Sequence, residues 1–196
     1  MHSPIRRLIC LITALGCALA GTTVARAQAG HAHVHGEVAL EIGIEASSIN
    51  LQLAAPQDSL LGHERRPGTP AEQQAAAALM QRLQAGAALF GLPASLGCKL
   101  ASAEIDAPQL QPASMPNNAA APKATTPPKA ANDSHAEIVA SYRFDCARVA
   151  GLRSLDLGAL MDAFPRIQRL SAQVAGPGGQ AQAQLRRPAR VLAWGR

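Results

Sequence analysis

From Glu37 to Glu45 the chain alternates without a break, with Val38, Leu40, Ile42 and Ile44 on one side. Glu37, Glu41 and Glu45 fall on the other side, with Ala39 and Gly43 between them. A period of two places every second side chain on the same face of an extended backbone, so the segment reads as a half-buried strand and not as a helix. The pattern returns at once. After the Ser47-Ser48 turn, Ile49, Leu51 and Leu53 alternate with Asn50 and Gln52 until Pro56 ends the hairpin. It returns again where Ala136, Ile138, Ala140, Tyr142, Phe144 and Cys146 share a face, with His135, Glu137, Ser141, Arg143 and Asp145 turned mainly outward.

The remaining elements fit around these strands. Lys99 to Asp106 reads as a strand, as do segments around Leu170-Val174 and Ala181-Leu185, with Pro177-Gly178-Gly179 as the turn between the last two. Val191-Leu192-Ala193-Trp194 reads as a final edge strand, and a short helical piece ends at Phe164-Pro165. One principal helix is expected. Thr69-Pro70-Ala71-Glu72 combines a capping box with Pro at the first helical position. Its apolar stripe runs through Leu79, Met80 and Leu83 to Leu89-Phe90, and Gly91 and Pro93 stop it. Leu60-Leu61-Gly62 reads as an apolar turn. The sum is an α+β fold, a single domain built on a mainly antiparallel sheet with one principal helix.

The N-terminus has a different character. Arg6 and Arg7 precede an uncharged apolar block of thirteen residues from Leu8 to Ala20, and Ala25-Arg26-Ala27 follows. That block is shorter than the roughly 20 residues a spanning helix needs, and suits a cleavable secretory signal over 1–27, with a cut after Ala29 as the alternative. An exported chain without it keeps 15 basic and 13 acidic side chains, a net charge of +2 in place of +5. The remaining Arg are scattered, apart from the cluster Arg186-Arg187-Pro188-Ala189-Arg190, which reads as a solvated C-terminal segment. Aromatic residues are only 3% of the chain, so no stacking surface accompanies the charge, and nucleic acid is not an expected partner. Two of the four cysteines leave with the signal. Cys98 and Cys146 remain, and in an oxidising compartment an even pair reads as one disulfide. Residues 107–134 are rich in Pro, Ala and Asn without periodicity, and read as a disordered linker between a first half, 28–106, and a second half, 135–196, of the same domain.

Chemistry gathers just after the signal. His31, His33 and His35 alternate, and the same parity continues to Glu37 and Glu41, so an extended chain would carry all five on its outward face. Imidazole suits Zn, Cu and Ni. Neighbouring rings on one face of a strand stand nearly 7 Å apart at about 3.3 Å rise per residue, too far to share one ion without a bend. A full site therefore needs a donor from elsewhere, and His135, Glu137, His63 and Glu64 are the candidates.

The order of motifs resembles a known family. The set opens with His33-Val34-His35-Gly36, followed by an alternating apolar hairpin, Pro56, the Leu60-Leu61-Gly62-His63-Glu64 turn, a helix and Gly97-Cys98. It continues with His135-Ala136-Glu137, then Tyr142-Arg143-Phe144-Asp145-Cys146, Leu155-Asp156-Leu157 and Phe164-Pro165. This order is similar to that of the ZrgA-like, zinc-binding periplasmic proteins of bacteria, over about residues 30–194. The resemblance implies zinc binding in the periplasm and a part in zinc acquisition or buffering, beside a zinc transporter or its solute-binding protein. It matches His33, His35 and His135 to the family's histidines and Cys98 and Cys146 to its cysteine pair. Two departures stand out. Residues 107–132 hold no His where family members often carry a His/Asp-rich insertion, and Gly62-His63-Glu64-Arg65 stands where the family pattern runs Gly-Phe-Glu-His.

The expectation is thus a non-enzymatic metal-binding protein holding Zn through His31, His33, His35 and His135, with Cu or Ni as the other metals such donors suit. Glu37, Glu137, His63 and Glu64 are the secondary candidates. A disulfide-stapled interaction module without metal is the alternative reading, and a metal-dependent hydrolase a third. No nucleophile elbow, zinc-protease motif or Gly-rich phosphate loop occurs in the sequence. Neither nucleic acid nor stable membrane insertion is expected once the signal is removed.

Overall fold

A computed structural model describes residues 34–110 and 136–195. The expected signal over 1–27, His31, His33 and His135, and the part of the linker from 111 to 134 lie outside the described residues. No helix among the described residues is long and apolar enough to cross a membrane.

The two alternating segments form β1 (Glu37–Ile44) and β2 (Ser48–Pro56), paired antiparallel so that Leu40 meets Leu53, Ile42 meets Leu51 and Ile44 meets Ile49. All six side chains are buried. The other side of β2 pairs antiparallel with β4 (Glu137–Asp145), which sets Ile49 opposite Phe144, Leu51 opposite Tyr142 and Leu53 opposite Ala140. β3 (Lys99–Asp106) borders β4, with a register shift between Leu100 and Ser102. At the other flank, β6 (Arg169–Gly176) lies beside β1, and β7 (Gly179–Leu185) returns antiparallel to β6 after Pro177-Gly178. The six strands run in the order β3-β4-β2-β1-β6-β7. The sheet is mainly antiparallel, as expected, but β1 and β6 pair in parallel. An alternating sequence buries one face in either direction, so strand direction was never encoded in the pattern.

One face of the sheet carries the core. α2 (Pro70–Gln84) covers it with Ala76, Leu79 and Leu83. Its N-terminus is the predicted capping box: Glu72 N–H donates to Thr69 Oγ1, and the Glu72 carboxylate accepts from the Thr69 amide. Its C-terminus differs from the sequence expectation. The helix stops at Gln84 instead of running to Phe90, and the Tyr142 ring lies against Gly86 so closely that a Cβ there would overlap it. The Tyr142 hydroxyl donates to the Leu83 carbonyl at 2.9 Å, at the point where the helix would continue. Burial pushes this phenol well above its ordinary pKa, so it remains a donor. A 3₁₀ turn, Gly86–Ala88, then drops Leu89 and Phe90 into the core, where Phe90 meets Tyr142 edge-on with centroids 5.0 Å apart.

Beyond Cys146 the chain folds under the sheet. β5 (Ser154–Asp156) and α3 (Gly158–Ala163) precede β6, and β8 (Val191–Ala193) follows β7. The predicted C-terminal strand exists, but it pairs with β5 in a separate two-stranded sheet, and Trp194 beside it is buried. The basic cluster is exposed, as expected, but it is also anchored. Arg187 donates to the carbonyls of Ile167 and Met161, and Arg190 pairs with Asp162 at 2.7 Å. The start of the predicted linker belongs to the domain: Ala107 is buried, and the Leu110 amide closes a turn onto its carbonyl.

Cys98 and Cys146 form the disulfide, at a sequence separation of 48. It joins the start of β3 to the end of β4, where Lys99 already lies opposite Asp145. In the chain-entropy picture, closing a loop of this size is worth about 4 kcal/mol. The double substitution Cys98→Ser/Cys146→Ser is therefore expected to lower the unfolding free energy by up to about 4 kcal/mol, read as a lower urea midpoint with an unchanged native circular dichroism spectrum.

Candidate metal centre

Where β2 ends, a short helix begins without a linker. α1 (Gln57–Leu61) follows Pro56 directly and closes on Gly62, whose φ of +94° is costly for any residue with a Cβ. Asp58 occupies its first turn, where the helix dipole favours a negative charge. The Gln57 side chain is buried and donates from Nε2 to two carbonyls, His63 O and Arg65 O, each at 3.0 Å. Those two residues flank Glu64, so one buried amide fixes the backbone on both sides of it. Arg65 in turn pairs with Glu72, which also accepts from the amides of Gly68 and Thr69. Arg65, together with these backbone donors, holds the Glu72 carboxyl well below the usual carboxylate range. The segment from α1 to α2 is thereby tied down at both ends.

A second turn brings His35 to this segment. The Glu37 amide donates to Val34 O at 2.9 Å, and Gly36 adopts φ +79°. A Cβ on Gly36 would approach the Gln168 side chain to 3.0 Å, and the Gly36 carbonyl accepts from the amides of both Gln168 and Arg169. Glycine is required there by both backbone conformation and space. The Gly36 amide donates to the buried Ser59 hydroxyl at 3.0 Å, and Ser59 Oγ donates to Asp58 Oδ1 at 3.3 Å. This relay fastens the backbone beside His35 to the carboxylate opposite it.

The result is a cluster of three donors. His35 Nδ1 lies 3.3 Å from Asp58 Oδ2, and His35 Nε2 lies 3.2 Å from Glu64 Oε1. One donor atom from each residue falls within 4.8 Å of the others. A single ion uses one ring nitrogen, so a turn of the imidazole or of a carboxylate separates this arrangement from three donors on one cation. Imidazole with carboxylates is a donor set that zinc accepts, and three protein ligands leave a position for a fourth. The His35 side chain is 70% exposed, while that of Asp58 is 17% exposed. The site therefore has a rooted base and an open mouth.

The sequence candidates divide accordingly. His35 and Glu64 are brought together. The parity that grouped His35 with Glu37 and Glu41 fails at Gly36, where the left-handed turn takes His35 out of the strand's register. Glu37 instead pairs with Arg169, and Glu41 accepts from Gln173 Nε2 at 2.9 Å. His63 turns its Nδ1 to the Arg65 carbonyl at 2.9 Å and is not in the cluster. Glu137, opposite Pro56 on β4, stands outside the cluster as well. Asp58 is the donor that sequence reasoning missed. Its signal was Pro56 followed by Asp58 and Ser59, a helix-start composition that a segment read as an apolar turn concealed.

Residues 32–194 match the family described as ZrgA family zinc uptake protein. The chain belongs to this family. The match spans both halves of the domain and includes every donor of the cluster. No curated protein matches the chain.

Gln57→Leu keeps the volume of the buried side chain and removes both hydrogen bonds behind Glu64. It is expected to lower stability by about 1–3 kcal/mol through the two stranded carbonyls, and to weaken zinc binding roughly tenfold, as changes behind metal ligands do. Thermal unfolding and calorimetric titration of the same sample measure both.

Proposed function

We propose that this ZrgA-family member is a non-enzymatic zinc-binding protein of the periplasm that assists zinc uptake, passing its ion to a zinc transporter or to that transporter's solute-binding protein. The observation that carries the reading is the convergence of His35, Asp58 and Glu64, from two turns 23 to 29 residues apart, on one small volume. Family membership supplies the zinc and the uptake. Zinc is here the cargo. The exposure of His35 suits a site that loads and unloads, whereas a structural zinc is closed by four protein ligands.

Further donors come from the histidines adjoining the described residues. His33 lies two residues before His35 in the chain. His135 precedes Ala136, whose carbonyl accepts from the Gln57 amide at 2.6 Å, one residue before Asp58. We assign His31, His33 and His135 as the supply of a fourth ligand. One imidazole and two carboxylates form a hard, oxygen-rich set without the soft sulfur donors that Cu(I) prefers, and the choice of zinc rests on family membership. Export through the 1–27 signal and the disulfide fit an oxidising compartment.

Isothermal titration of the protein lacking residues 1–27 tests this reading. Zinc is expected to bind the parent, and a His35→Ala/Asp58→Ala/Glu64→Ala variant to lose at least roughly tenfold in affinity. Unchanged affinity in that variant would remove the cluster from the site. A melting temperature indifferent to both zinc and chelator would favour the metal-free interaction module. Metal analysis of protein taken from the periplasm completes the test, since copper or nickel there would reassign the cargo.

A further inference from the structure

The six-stranded sheet has two edges, and they are finished differently. β3 carries Lys99, Glu104 and Asp106 and breaks its register between Leu100 and Ser102. Charges and a bulge are the usual devices that keep an exposed edge from pairing with another chain. β7 has none of them. Its seven residues, Gly-Gln-Ala-Gln-Ala-Gln-Leu, contain no charge and no proline, and their register with β6 runs unbroken from Leu185 to Gly179. Among the described residues β7 hydrogen-bonds in the sheet to β6 alone; β8 packs near β7 and Gly195 lies against Gly178 at its start, but β8 makes its ladder with β5. Gln180, Gln182 and Gln184 are exposed, while Ala181 and Ala183 lie toward the core.

The Gln-Ala-Gln-Ala-Gln sequence of this edge is also a palindrome about Gln182. In an antiparallel pair of identical strands related by a two-fold axis, each residue meets its mirror position. An axis at Gln182 sets Gln180 of one copy opposite Gln184 of the other, Ala181 opposite Ala183, and Gln182 opposite itself. Amides meet amides on the outer face, and methyls meet methyls on the inner face. No side chain must change face, and no like charges are opposed. A different peptide could add to the edge, but self-complementarity is a property of this strand with its own copy.

We propose that the β7 edge is a self-association surface, through which two copies join their sheets antiparallel about Gln182 into one continuous sheet of twelve strands. A seven-residue strand pair buries less than the roughly 1,200 Å² of a standard stable interface, so the dimer forms at high local concentration and dissociates readily. The surface shares no residue with the metal centre, whose donors come from the turn before β1 and from α1 and the turn after it.

Sedimentation velocity over a concentration series reaching the millimolar range, with EDTA present to exclude metal bridging, tests the proposal. The parent is expected to self-associate reversibly. Gln182→Lys and Gln182→Glu each oppose like charges across the axis and are expected to weaken association more than about tenfold, whereas an equimolar mixture of the two restores it. Glu104→Lys, at the β3 edge, leaves association at the parental level. A parent that stays monomeric throughout the series, single variants that associate like the parent, or a mixture that fails to recover would each overturn the proposal. Because Gln182 is exposed, circular dichroism of each variant is expected to match the parent.

Discussion

The register of β2 governs the rest of the molecule. β2 has a ladder on each side, and Ile49, Leu51 and Leu53 meet the buried side chains of both β1 and β4. A slip of one residue would turn all three to solvent and remove the centre of the core. The same register fixes what comes next, because Pro56 is the last residue of β2 and Gln57 the first of α1. The Gln57 amide closes the strand's end against Ala136, while its side chain holds the turn that carries Glu64. Core packing and the spacing of the metal donors are thus consequences of one alignment, and the polar cluster needs no independent scaffold.

Most of the sheet was legible because alternation is a direct record of which face is buried. β1, β2 and β4 stand where Val38 to Ile44, Ile49 to Leu53 and Ile138 to Phe144 placed them. What alternation does not record is the neighbour. The parallel β1–β6 pair joins segments more than a hundred residues apart, and the pairing of β8 with β5 depends on how the chain passes beneath the sheet. α1, with five residues, is too short to display a helical period. The end of α2 was not legible either: a tyrosine on β4 lies against Gly86, and no local signal near residue 84 announces it.

The candidate site was legible in its residue types and not in its assembly. The histidine alternation pointed to the stretch of chain that supplies His35, and the resemblance to the family, yet two neighbours in sequence were separated by a single left-handed glycine. His35 and Glu37 share parity but serve different partners, one a pair of carboxylates and the other Arg169. Asp58 belongs to the cluster through a hydrogen-bond relay, Gly36 to Ser59 to Asp58, that exists only once the two turns have met. Spacing along one strand cannot reveal a donor set drawn from two turns.

The disulfide has one more consequence. Cys98 and Cys146 close a covalent ring that contains β3, β4 and everything between them. A ring stays one molecule after a single cut. Cleavage of any peptide bond between residues 111 and 134 would leave both fragments bound by sulfur at one end of β4 and zipped along the β3–β4 ladder. Insertion or deletion in that stretch likewise leaves the ladder's register to the strands themselves. The covalent ring and the β3–β4 ladder therefore hold the sheet's register without calling on the length of residues 111–134.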